Sequence, residues 1–170
     1  VSESESIFEE QEAPQASREL AELKTAPDYV APFQIIRRRV IDDYFEGRMV
    51  CDATLVIRIG GVEETEAARG VGVVHALDNA LRKALLKYFP YLSEVRVTET
   101  YAHATGESTE ADVITVNKFT DGRLSWTTLA RSGNTIEAGW KSLVEGYEWR
   151  IWRENLRQRE MARNPKYGQR

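Results

Sequence analysis

The apolar residues of this chain change period twice in the same order, from the alternation of a β-strand to the three-and-four spacing of a helix. "FQIIRRRVIDDYF", from Phe33, is rich in Ile and Val and alternates imperfectly. In "VCDATLVIRIGG" the alternation is clear: Ala53, Leu55, Ile57 and Ile59 share one face, with Thr54, Val56 and Arg58 opposite. Gly60-Gly61 predicts a tight turn into a third strand, "VEETEAARG". Val74, Leu77, Leu81, Ala84, Leu85 and Tyr88 then recur at helical spacing above a basic opposite face, and Pro90 stops that helix. The second pass brings "SEVRVTETYAHATG", "TEADVITVNKF", an Asp-Gly turn in "TDGR", and "RLSWTTLARS". A helix follows, opened by the capping-box pair Asn134 and Glu137 and striped by Ile136, Trp140, Leu143, Val144, Tyr147, Ile151 and Trp152. It is expected to run to Met161.

This repeat predicts an α+β fold of two strand–strand–strand–helix units related by pseudo-twofold symmetry, with each helix packed on an antiparallel sheet. Neither unit alone buries much, so the two should pack together. Apolar helix surface left over, including Trp149 or Trp152, is expected to seal a dimer.

Three segments are expected. Residues 1–32 form an acidic, largely flexible N-terminal segment, with a short helix over about Ser17 to Lys24. Residues 33–155 form the folded domain, in units of about 33–90 and 94–155. Residues 156–170 form a basic helix end and tail. The net charge of −4 conceals opposite ends, −6 over residues 1–22 and +4 over residues 148–170, which read as solvated surfaces. No apolar run reaches the roughly 18 residues of a membrane span, and no signal-peptide core is present. Cys51 is the single cysteine, so an internal disulfide is impossible, and a cytoplasmic setting is expected.

Gly70 and Gly72 before a helix have the form of a phosphate loop. A dinucleotide fingerprint needs a third glycine, and His75 stands there; the preceding strand is polar, and no Lys-Ser or Lys-Thr follows. A phosphate site is not expected here. His75 and His103 are the only histidines and no metal-ligand spacing joins them to carboxylates, so neither metal nor cofactor is expected. Asp42 and Asp43 are adjacent and point to opposite faces of a strand, which defeats a paired-carboxylate reading. "RIWRENLRQREMAR" has the basic and aromatic character of a nucleic-acid helix. The chain is acidic overall and its tryptophans fall on the core stripe, so nucleic acid is not expected. No catalytic constellation assembles.

"GVGVVHALDNALRKALLKYFPYLSEVRVTETYAHATG" and "RLSWTTLARSGNTIEAGWKSLVEGYEW" together resemble the C-terminal regulatory domain of 2-isopropylmalate synthase and citramalate synthase. That family opens its first helix with a Gly-Asn-Gly-Pro-Val-(Asp/Asn)-Ala loop, ends it at a Tyr/Phe-Pro turn, and starts its second near a motif like "NTIEAGW". The resemblance spans about Phe33 to Glu154 and leans towards the citramalate branch. It implies a dimeric regulatory domain without the catalytic barrel, with catalysis in a separate synthase subunit or in an omitted part of a longer protein. It also implies feedback control by a branched-chain amino acid, isoleucine or leucine.

Carried over by resemblance, the effector site comprises the loop Gly70, Gly72, Val73, Val74 and His75. Strand walls at Val97, Thr100 and Ala104, and at Thr109 and Ala111, complete it. Bare backbone at a helix start suits a small zwitterion. The chain departs from the family loop at Val71, Val73 and His75, where relatives keep Asn, Pro and Asp or Asn. The alternative expectation is a non-sensing dimerisation or assembly module with a degenerate pocket.

Overall fold

The computed structural model describes residues 13–105 and 111–163. Helix α1 (Gln15–Lys24) precedes strands β1 (Gln34–Phe45), β2 (Arg48–Ile59) and β3 (Val62–Gly70) and helix α2 (Val73–Leu86). A single 3-10 turn (Pro90–Glu94) leads to β4 (Arg96–Thr105), β5 (Asp112–Thr120), β6 (Ser125–Ser132) and helix α3 (Thr135–Arg163). The strands form two antiparallel sheets, ordered β1-β2-β3 and β4-β5-β6. The strand–strand–strand–helix repeat is therefore present twice. Its two copies share a detail: the first strand of each slips register near its start, between Ile35 and Arg37 and between Val97 and Glu99. Such a bulge bends an edge strand.

Local chemistry accounts for the turns. Gly60 and Gly61 hold φ of 56° and 84°, the left-handed pair that a two-residue hairpin requires and that a side chain resists. At the β5–β6 turn the Asp121 carboxylate accepts the backbone N–H of Arg123 (2.9 Å) and Leu124 (2.7 Å).

Each sheet buries one face under one helix. Ala53, Leu55, Ile57 and Ile59 of β2 lie beneath Leu77, Leu81, Ala84 and Leu85 of α2, as the two periodicities require. In the second unit the Phe119 ring stacks on Trp126 (5.4 Å, 3°) and meets Tyr147 edge-on (6.1 Å). Gly146 of α3 lies directly over that ring, so the helix settles close to the sheet. The units are joined through their helices. Arg82 of α2 donates to the Tyr147 hydroxyl of α3 (3.3 Å) and to the carbonyls of Val95 and Ser93 in the segment linking the units.

Several expectations need correcting. The segment before residue 33 is not wholly outside the body. Helix α1 buries Ala16, Ser17 and Leu20, and the Ser17 hydroxyl accepts the Leu129 N–H of β6 (2.9 Å), using a hydrogen-bonding edge that alternation alone does not advertise. Trp149 is not surface apolar area: it is 6% exposed, tilts onto Trp126 and donates its indole N–H to Glu19 of α1 (2.7 Å). Trp152 is half-buried against the same core. The capping box at α3 is half formed. Asn134 Oδ1 accepts the Glu137 N–H (3.0 Å), whereas the Glu137 carboxylate is taken by Arg38 of β1. The predicted short helix begins at Gln15, and α3 continues to Arg163. No described helix is long and apolar enough to cross a membrane.

Candidate effector cleft

A cleft of about 310 Å³ opens between the first halves of α2 and α3, over β4 and β5. Its size lies at the small end of ligand pockets, which run from about 300 to 1,000 Å³. Val74, His75 and Asp78 come from α2; Val97, Thr100 and Ala102 from β4; Thr115 and Asn117 from β5; Thr135, Gly139 and Leu143 from α3. Gly139 keeps the two helices close, since a Cβ there would meet Val74 Cγ2 at 3.3 Å.

The loop that enters α2 is braced by its own residues. Nδ1 of His75 accepts the Val71 N–H (3.3 Å), and Asn79 donates to the Arg69 carbonyl (2.9 Å). Gly70 is buried beneath the helix start, where an added Cβ would strike the Ala76 amide nitrogen and lie 2.8 Å from the Ala76 Cα and the His75 carbonyl carbon. It therefore serves close packing of strand on helix. Gly72 is the extended N-cap residue of α2, with open space where a Cβ would project.

Of the residues expected at an effector site, Val74, His75, Val97 and Thr100 line the cleft together. Gly70, Gly72 and Val73 shape the loop without lining it; Val73 packs on the core. Ala104, further along the Thr100–Ala102 face, is exposed, and Ala111 precedes β5 half-buried. Thr109 lies outside the described residues. Sequence reasoning missed Asp78, Ala102, Thr115, Asn117, Thr135, Gly139 and Leu143. A signal was available for three of them. Asp78 follows Val74 by four residues and so shares its helix face. Thr115 and Asn117 alternate with Phe119 on the face of β5 that turns to the core.

The polar groups of the cleft are unequally satisfied. Thr100 donates to Asn117 Oδ1 (2.8 Å), and the Asn117 amide donates to the Gly139 carbonyl (3.4 Å). Thr115 is 2% exposed, and its hydroxyl oxygen has no hydrogen-bond partner among the described residues. An unmet buried hydroxyl costs about 1–3 kcal/mol. Burial raises the Asp78 carboxyl above the ordinary range, outweighing the Tyr147 hydroxyl that donates to it (2.7 Å) and the nearby Arg82 charge. Burial, and after it the Asp78 charge, pushes the Tyr147 phenol upward in turn.

The arrangement pairs no nucleophile with a base. It can hold a compact ligand with an apolar body, a cationic group for Asp78 and a hydrogen-bonding group for Thr115. Two other depressions, of about 250 and 340 Å³, flank the later part of α3; the larger is walled by the ion pairs of Arg150 and Arg157. Cys51 is 2% exposed and donates to Asp42 Oδ1 (2.9 Å). That bond, with burial, pushes its thiol up to about 11, which leaves it a poor nucleophile at neutral pH. Among the described residues no group of three or more His, Cys, Asp or Glu side chains could hold a metal ion.

The model for the LeuA allosteric (dimerisation) domain matches residues 17–150. The chain is 32% identical over 144 residues to the (R)-citramalate synthase of Geobacter sulfurreducens, covering 82% of this chain and 27% of that protein. It is 36% identical over 114 residues to the (R)-citramalate synthase of Sulfolobus acidocaldarius, covering 66% and 21%. The corresponding figures for the Aquifex aeolicus (R)-citramalate synthase are 36% over 105 residues, 61% and 20%. The matched region thus spans about a fifth to a quarter of these relatives.

Proposed function

The chain belongs to the LeuA allosteric (dimerisation) domain family, and from that premise we propose that it is the feedback-sensing part of a citramalate synthase-like enzyme. In this reading it forms a homodimer in the cytoplasm. It binds a branched-chain amino acid, isoleucine or leucine, in the cleft between α2 and α3, and biases catalytic machinery carried elsewhere. The effector ammonium meets Asp78, a polar group of the effector satisfies Thr115, and the branched side chain lies against Val74, Val97 and Leu143. Control of a partner requires that the effector favour one of two states, so binding and regulation are separate claims.

The observation that carries this reading is the meeting, in one small apolar cleft, of an orphan buried hydroxyl and a half-buried carboxylate raised by desolvation. A cavity that merely packs has no use for the unmet Thr115 hydroxyl. A Thr115→Val variant keeps the shape and removes the unmet hydroxyl, so it should melt slightly higher than the wild type, by about 1 kcal/mol of stability. Isoleucine or leucine at about 100 times Kd should add roughly 2.7 kcal/mol to the wild type and much less to Thr115→Val. Differential scanning calorimetry reads both effects. Absence of a shift with isoleucine, leucine and valine would favour the non-sensing dimerisation module instead.

A further inference from the structure

We propose that the homodimer forms by antiparallel pairing of β1 with β1 of a second copy, across a twofold axis at Val40. This rests on the homodimer part of the preceding reading and assigns it a surface.

Among the described residues β1 is an edge strand of 12 residues, hydrogen-bonded on one side only, to β2. A bare edge of that length is a template for another strand. Charge along it is ordered about Val40. When two copies of a strand pair antiparallel about a residue, positions equally distant from that residue face each other on the same side of the sheet. About Val40 this sets Arg37 against Asp43 on one face and Arg38 against Asp42 on the other, each twice by symmetry. A strand that used charge only to repel neighbours would have no need of opposite signs at mirrored positions.

The charges of the Arg37–Asp43 pair are free to be used. Neither Arg37, Arg39 nor Asp43 enters an ion pair or hydrogen bond among the described residues, and all three are exposed. Arg38 is already engaged, paired with Glu137 and lying over the Trp140 ring at 5.6 Å, and its buried Nη1 has no partner among the described residues. Among the described residues Asp42 accepts only the Cys51 thiol, on one of its two oxygens. The far end of the β1–β2 hairpin runs past the end of β3, whose last pair is Cys51 with Gly70. There Tyr44, Phe45 and Met49 are 69%, 63% and 51% exposed. A two-stranded ribbon with such side chains in water is marginal, and a second copy laid along β1 gives it a third strand.

Sedimentation velocity of the full chain over a concentration series tests the assignment. The wild type should dimerise. Arg37→Asp sets two acidic pairs facing each other across the axis and should raise the dimer dissociation constant about 30-fold, from cross-strand pair energies of up to about 1 kcal/mol each. Arg37→Asp combined with Asp43→Arg exchanges the signs and should restore dimerisation; circular dichroism confirms that each variant remains folded. A second variant carrying Arg39→Cys and Ile41→Cys should oxidise to a covalent dimer, because those positions face each other across the axis at a distance a disulfide spans. A wild-type dimer indifferent to Arg37→Asp, unrestored by the exchange, or refractory to cross-linking overturns the β1 assignment while leaving the homodimer intact. A wild type that stays monomeric overturns both.

Discussion

Replacing Gly70 with alanine should destabilise the protein by about 3 kcal/mol and lower its melting temperature by roughly 10 °C. The new methyl group would meet the backbone of His75 and Ala76 in the first turn of α2, and backbone cannot rotate aside as a side chain can. Either the end of β3 or the helix itself must shift, and α2 is held by six side chains that are fully buried on the first sheet and its surroundings. Gly72→Ala is the internal control. Its Cβ enters open space from an extended backbone, so it should change stability by less than about 1 kcal/mol. Thermal unfolding followed by circular dichroism separates the two. A Gly70→Ala protein melting within about 2 °C of the wild type would show that strand and helix do not approach as closely as described.

Arg150→Met should cost at least about 3 kcal/mol. The guanidinium, with a side chain 10% exposed, joins Asp121 (2.7 Å) and Glu154 (3.3 Å), whose side chains are 4% and 8% exposed. It also lies over the Tyr91 ring at 5.1 Å. Removing it leaves two carboxylates buried with less compensation, and methionine replaces only the packing. The pH dependence has a defined sign. Burial alone would raise the Asp121 carboxyl, but the Leu124 and Arg123 amides together with Arg150 hold it below its ordinary value. Arg157 foremost, helped by Gln158 and Arg150, lowers Glu154. Carboxyls lowered by folding contribute stability above their unfolded pKa of about 4 and lose it as pH falls through the lowered values. The wild type should therefore weaken on acidification below about pH 4, and Arg150→Met should show a shallower acid slope from a lower starting stability. Urea unfolding at a series of pH values measures both; equal slopes in the two proteins would remove Arg150 from this role.

The fold was legible because its periodicities are carried by residues with little choice of environment. Ala53, Leu55, Ile57 and Ile59 have one apolar face to hide, and Leu77, Leu81, Ala84 and Leu85 make the stripe that hides it. The site was legible only in part. The glycine loop led to Val74 and His75, yet the glycines themselves serve strand–helix packing and the helix start. The polar floor was hidden because Thr115 and Asn117 have the look of ordinary strand residues; only their position between two helices turns them into lining. Asp78 was overlooked on a helix read for its apolar stripe. The docking of α1 also escaped notice, since it depends on single contacts such as Ser17 to Leu129 and Glu19 to Trp149 that no period announces.

The effector reading is tested most directly by isothermal titration of the chain with isoleucine, leucine and valine near neutral pH and again in acid. At least isoleucine or leucine should bind saturably. Its affinity should fall as pH drops through the raised pKa of Asp78, because the protonated carboxyl no longer attracts an ammonium. An absence of saturable heat with all three amino acids at both pH values would contradict the claim that this cleft senses a branched-chain product.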